Sequence, residues 1–155
     1  RENMAFSDSY LRNEQVVVVR AADAGAYADT ASLAGAKLVA EAESAGEDAI
    51  LADIDGAEYT AVSSQASALL EIKAGTADAA VIDYTMARTM TGPGTDYEDL
   101  AILENIDLTD EEYAIGFRTD STAVAAFNAI IAEFTNDGTL DGIAAKYELT
   151  DLLIK

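Results

Sequence analysis

Four consecutive valines, Val16–Val19, limit this chain's folding options more than any other feature. β-Branched side chains are stiff at χ1 and favour strands. A strand with no polar position breaking the run is buried on both faces, so it belongs to a sheet covered on both sides. Ala79-Ala80-Val81-Ile82 is a second run of this kind. Lys37–Glu41 and Ala57–Val62 read as shorter strands. Helix signals alternate with them. Ser44 is a candidate N-cap, with Glu47 and Asp48 in the turn that follows and a helix to near Leu51. Ser63 or Ser64 can cap the next helix, where Ala68, Leu69 and Ile72 share a face that Gln65 can join, and Gly75 stops it. Asp83 can cap a helix over Tyr84–Thr91, and Thr91-Gly92-Pro93-Gly94 breaks the chain.

The remaining segments extend the pattern. Residues 21–35 read as a loop with a helical turn near Ser32–Ala34, and residues 100–103 and 113–118 read as strands. Asp120 or Ser121 caps a long helix with Val124, Phe127, Ile130, Ile131 and Phe134 on one face. Asn136-Asp137-Gly138 closes it, Thr139 opens a last helix through Tyr147, and the tail Leu149–Lys155 is apolar enough to dock. Strand–helix–strand alternation predicts an α/β fold with a mostly parallel sheet.

Composition removes whole classes of function. Acids outnumber bases 29 to 9, a formal charge of -20, which repels phosphate backbones and argues against nucleic-acid and anionic-membrane partners. With no His and no Cys, the Ser-His-Asp triad, cysteine nucleophiles, His/Cys zinc sites, iron–sulfur clusters and disulfides are excluded. No apolar run approaches the ~20 residues of a membrane-spanning helix. The opening Arg1-Glu2-Asn3-Met4 has no basic stretch followed by an apolar one, so we expect a chain that is mature or cut from something longer.

In open α/β sheets, ligands bind beyond the C-terminal ends of the strands. Two segments are expected there. Glu41-Ala42-Glu43-Ser44-Ala45-Gly46 leads from a strand end into a helix start, whose N–H groups favour an anion, although Glu41 and Glu43 weaken that pull. Its alternative reading is a capped helix on a surface turn. Asp83 follows an apolar strand, where a carboxylate can bind an ammonium group, bind a metal or accept a phosphate; its alternative is a plain N-cap. A phospho-acceptor role needs a further acid pair and a later Lys, and no Lys lies between Lys73 and Lys146. Asp107–Glu112 lacks the glycine and alternating oxygen ligands of an EF-hand loop. No metal site, cofactor or catalytic residue is assigned.

Several segments, in order, resemble the bacterial extracellular solute-binding protein family 3, the amino-acid-binding proteins of ABC transporters with the type II periplasmic binding fold. Met4-Ala5-Phe6-Ser7-Asp8-Ser9-Tyr10 resembles the family's F-S-x-P-Y crossover, with Ser9 in place of Pro, and Gln15–Arg20 resembles the strand after it. Leu33–Ala40 followed by Gly46-Glu47 resembles its L-x-G-K-x-V-G-V…G-T-x-x-E stretch. Ala68–Asp83 resembles A-L-x-x-L-x-x-G-R-x-D-A-x-V-x-D. Tyr113–Arg118 resembles the return crossover, and Asn136–Tyr147 resembles the ending x-D-G-T-L-x-x-I-x-x-K-Y.

The resemblance implies a three-layer α/β/α lobe. Residues 1–9 would form a crossover and hinge, 10–112 lobe two, and 113–155 the return crossover and C-terminal helices of lobe one, whose N-terminal part is absent. Asp83 matches the aspartate that accepts a ligand α-ammonium. Ser44, Ala45 and Gly46 match the turn whose N–H groups hold the α-carboxylate, and Glu41 matches a position that touches the ligand side chain. Glu43 and Ala45 stand where Gly and Thr are common. The implied function is the substrate-binding component of an ABC importer, taking a polar amino acid or related amine, without catalysis or cofactor. Its partners would be the transporter's membrane subunits. Its place would be extracytoplasmic, periplasmic or as a lipoprotein at the cell surface. The alternatives are a sensor domain of a kinase or receptor with the same fold, or a catalytic relative such as a dehydratase. A fragment of this kind would expose apolar surface, so a homodimer or segment exchange is expected of it, with weak ligand affinity.

Overall fold

The computed structural model describes residues 3–155, so Arg1 and Glu2 of the expected 1–9 crossover lie outside the described residues. The chain divides into two compact units. One is Glu14–Asp110; the other joins the residues up to Asn13 with Glu111–Lys155.

The Glu14–Asp110 unit holds the sheet that the valine run predicts. Its strands are β2 (Leu11–Arg20), β3 (Lys37–Glu41), β4 (Glu58–Val62), β5 (Ala79–Asp83) and β6 (Leu100–Ile102), in the order β4-β3-β5-β2-β6. β3 pairs in parallel with β4 and β5, and β2 pairs antiparallel with β5 and β6. On this path β2 alone is reversed and the other four strands share a direction, so the sheet is mostly parallel.

Successive side chains of a strand face opposite sides, and the core divides accordingly. Val17, Val19, Leu38, Ala40, Ala79 and Val81 form one buried cluster with Ala49, Ile50 and Ile54 at helix α1 (Ala45–Asp53). Val16, Val18, Val39, Ala80 and Ile82 form the other, with Ala68, Leu69 and Ile72 of α2 (Gln65–Ala74) and Ala87 of α3 (Tyr84–Met90). Both faces are covered by helices, which is the three-layer α/β arrangement.

The helix punctuation follows local chemistry. Ser44 Oγ accepts from Glu47 N, and Ser64 Oγ accepts from Ser67 N. Gly75 (φ 75°) ends α2, with its N–H and that of Thr76 returning to Ile72 and Glu71 carbonyls. Two expectations are corrected. Residues 21–35 carry more helix than the one turn expected near Ser32–Ala34: 3₁₀ helices span Ala21–Ala26 and Thr30–Leu33, the second fixed by a capping box between Asp29 and Ser32. Residues 113–118 are not one strand. β7 (Asp110–Tyr113) pairs with β2, whereas β8 (Gly116–Arg118) pairs antiparallel with β1 (Met4–Phe6); a reciprocal Ser7–Ile115 bond pair lies at the break. α4 (Ala123–Asn136) follows Thr122, whose backbone is already helical, and Ser121 Oγ accepts from Ala123 N, the capping contact expected of Ser121.

The other unit packs β1 and β8 with α4 and α5 (Thr139–Lys146). The tail docks as expected: Leu152 is buried, Leu11 and Leu153 form a β-bridge, and Ile154 N donates to Tyr10 O. α4 has no buried residue, although its apolar positions share a face; Phe127 meets Phe117 with ring centroids 5.9 Å apart.

Candidate functional site

The topology gathers one set of polar side chains within the Glu14–Asp110 unit. β3 and β5 run in parallel, so Glu41 and Asp83 end them at the same edge. Each connection after a parallel strand leaves from that edge, so α1 and α2 start there. β2 is reversed, and its Gln15 is the register partner of Asp83. The edge is therefore the C-terminal mouth of the sheet, where α/β folds place ligands.

Asp83 is half-buried and sits at the N-cap position of α3, but its side chain makes no cap bond. Its carboxylate instead accepts 2.7 Å bonds from Gln15 Nε2 on Oδ1 and from Gln65 Nε2 on Oδ2. Asp83 N donates to Gln65 Oε1 at 3.1 Å. The simple capping role considered for Asp83 is thus not the one the side chain plays.

Glu41 is half-buried, and its Oε2 accepts from Gln65 N at 3.2 Å, at the first turn of α2. Ser44 is the N-cap of α1, and its hydroxyl also donates to Glu41 O at 2.7 Å. Ala45 and Gly46 are the first residues of α1, where backbone N–H groups lack intrahelical acceptors. Gly46 is buried against β5: a Cβ there would lie 2.6 Å from Val81 O. The start of α1 therefore presses on the strand that carries Asp83.

Glu43 has φ 59°, in the left-handed region that favours glycine. A glycine would take this conformation without strain; Glu43 holds it with its N–H donating to the Glu47 carboxylate. Burial first and the Glu47 charge second push the Tyr59 hydroxyl up to about 12. Among the described residues no hydrogen bond to that hydroxyl satisfies bonding geometry, so Glu47 acts on it through charge. Tyr59 is an acid whose neutral form the fold favours. Its contribution to stability is complete below the unfolded pKa near 10 and is lost as pH rises to about 12. Denaturant melts across that range are expected to show a fall in stability that Tyr59→Phe reduces; identical slopes in both proteins would count against it.

Two site residues escaped sequence reasoning. The sequence places Gln15 only at the start of a strand and Gln65 only on a helix face. Gln15 had a usable signal: an amide directly before four valines, on a strand buried on both sides, needs a polar partner. A cavity of about 430 Å³ lies elsewhere, beside Lys37, Glu58, Tyr59 and Glu71, and none of the site residues lines it. Among the described residues no group of three or more acidic side chains is arranged to hold a metal ion, and no helix is long and apolar enough to cross a membrane.

The model of bacterial extracellular solute-binding proteins, family 3, matches residues 1–150. The chain belongs to this family. Solved structures agree on the type II periplasmic binding fold. An amino acid ABC transporter substrate-binding protein, AbpA from Streptococcus pneumoniae Canada MDR_19A bound to L-arginine, is 21% identical with a TM-score of 0.79, covering 96% of this chain and 63% of that one. A mutant of ArgBP from T. maritima is 28% identical with a TM-score of 0.76, covering 94% and 62%. The ancestral amino-acid-binding protein AncCDT-1, a precursor of cyclohexadienyl dehydratase, is 21% identical with a TM-score of 0.80, covering 94% and 62%. This family 3 chain thus spans a little under two thirds of the length of the structures it matches. None of the curated proteins matches it.

Proposed function

We propose that this chain is part of the substrate-binding component of an ABC importer and binds the α-ammonium group of an amino acid, or of a related amine, through Asp83. One observation carries the reading. The Asp83 carboxylate forgoes the cap of its own helix and is bound by two side-chain amides at the mouth of the sheet. A cationic ligand group would gain charge-assisted hydrogen bonds to it, which are short and about twice as strong as neutral ones. The N–H groups of Ala45 and Gly46 at the start of α1 would hold the α-carboxylate, with Ser44 fixing the turn. Glu41 would meet the ligand side chain and, with Glu43 close by, favour a cationic one. Arginine-bound relatives are consistent with this ligand class.

In this reading residues 10–112 form lobe two, 113–155 return to lobe one, and the crossover segments at 1–9 and 113–118 act as a hinge for closure on ligand. The protein is a binder rather than an enzyme, works outside the cytoplasm, and delivers its solute to the transporter's membrane subunits. The test is calorimetric titration of the full-length protein with L-arginine, other L-amino acids and the des-amino analogue of arginine. Saturable binding of an L-amino acid, lost with the des-amino analogue, is expected; equal binding of both would remove Asp83 from the role.

The other unit carries its own expectation. Ile130, Ile143 and Tyr147 are 47%, 49% and 61% exposed, on or beside α4 and α5, which between them bury only Ala144. Exposed apolar surface of this kind drives association. Sedimentation equilibrium of this chain is expected to show a homodimer or higher species, weakened by Ile130→Lys with Tyr147→Ser. A monomer at high concentration would overturn this.

A further inference from the structure

We propose that Gln15 and Gln65 are positioning residues that aim the Asp83 carboxylate at its ligand; this rests on the reading of Asp83 given above. Gln15 is 3% exposed, on a strand otherwise packed with valines. Burying an amide there costs free energy unless both its polar ends are bonded, so a hydrophobic residue would be the cheaper choice for stability alone. Its Nε2 donates to Asp83 Oδ1, while its Oε1 turns toward the start of α1, 3.4 Å from where a Cβ on Gly46 would lie.

Gln65 grips the same residue at two points. Its Nε2 donates to Oδ2, its Oε1 accepts from Asp83 N, and its own N–H donates to Glu41. Gln15 of strand β2 donates to one carboxylate oxygen and Gln65 of helix α2 to the other, so the group is held from two sides. The competing arrangement is local. An aspartate at an N-cap position normally turns back to accept from the backbone N–H groups of its helix. Here the two amides hold it away from α3.

The chemical type matters as much as the geometry. A Lys or Arg in either place would orient the carboxylate equally well, but would also neutralise it and repel an incoming ammonium. Amides donate without adding charge, so these two contacts leave the charge of the carboxylate in place for a cation. Glutamines at both positions therefore make the clamp selective for the ammonium group rather than merely stabilising.

The experiment measures, for the full-length protein, the ratio of affinities for L-arginine and its des-amino analogue, with Gln65→Ala, Gln15→Ala and Asp83→Ala compared with the unaltered protein. Each glutamine variant is expected to lower the ratio about tenfold, chiefly through weaker L-arginine binding. Gln65→Lys is expected to lower it further. A loss shared equally by both ligands, leaving the ratio unchanged, would make the glutamines structural and overturn the inference. So would glutamine variants with an intact ratio while Asp83→Ala erases it, although the reading of Asp83 would then survive. An unaltered protein that does not discriminate the two ligands would overturn both. Gln65 is only half-buried, so Gln65→Ala carries the test if Gln15→Ala fails to fold.

Discussion

Asp83→Ala is expected to reduce the affinity of the full-length protein for its amino-acid ligand by about 10²-fold, from the loss of hydrogen bonds to a charged group worth roughly 2–3 kcal/mol. The measurement is calorimetric titration at fixed ionic strength. The same substitution leaves Gln15 Nε2 buried without its carboxylate partner, so a drop in stability of about 1–3 kcal/mol is expected as well. Asp83→Asn separates the two effects. It keeps the shape, but one of its terminal atoms becomes an NH₂ facing a glutamine NH₂, and the charge is gone. Binding should fall almost as far as in the alanine variant. Affinity within twofold of the unaltered protein in both variants would end the proposal that this carboxylate holds the ligand.

Gly46→Ala is expected to be the most damaging conservative change at the turn. Alanine is the better helix former by about 1 kcal/mol, so propensity alone predicts a gain. Packing predicts the reverse. The new methyl would lie 2.6 Å from Val81 O and 3.2 Å from Val81 C, both backbone atoms of a buried strand that cannot swing aside. Overpacking of this type costs about 1–3 kcal/mol, so the clash outweighs the propensity. The relief is for the start of α1 to move outward, and that also shifts the N–H groups proposed to hold the α-carboxylate. A lower melting temperature together with weaker binding is expected. Gly142→Ala in α5 is the control, because a Cβ there meets nothing within 4 Å. It should be neutral or stabilising. If the two variants melt alike, close packing at Gly46 is not what limits that position.

Much of the architecture was legible because it is written in unbroken apolar runs and in helical hydrophobicity. Val16–Val19 and Ala79–Ile82 are strands buried on both faces, and Ser44, Ser64 and Gly75 do cap or end the helices beside them. The misreadings fall where local chemistry was not decisive. Residues 21–35 carry Ala, Asp and Gly that suit loop and helix alike; a four-residue capping box at Asp29–Ser32 favours the second 3₁₀ turn, while the first, Ala21–Ala26, has no side-chain cap. The 113–118 run breaks because its two halves pair with different strands, β2 and β1, which no local preference encodes.

The candidate site divides along the same line. That Glu41, the Ser44–Gly46 turn and Asp83 lie at one edge was deducible from the amino-acid order alone. Parallel strands joined by helices must end on the same side, and that side is where a helix starts. What the order of residues did not reveal is that Asp83 answers to Gln15, 68 positions away, and to Gln65, rather than to its own helix. A hydrogen bond between distant side chains depends on strand register and on which face each residue presents. Those are fixed only when β2 settles antiparallel beside β5, so the partnership belongs to the packed molecule and not to any stretch of its chain.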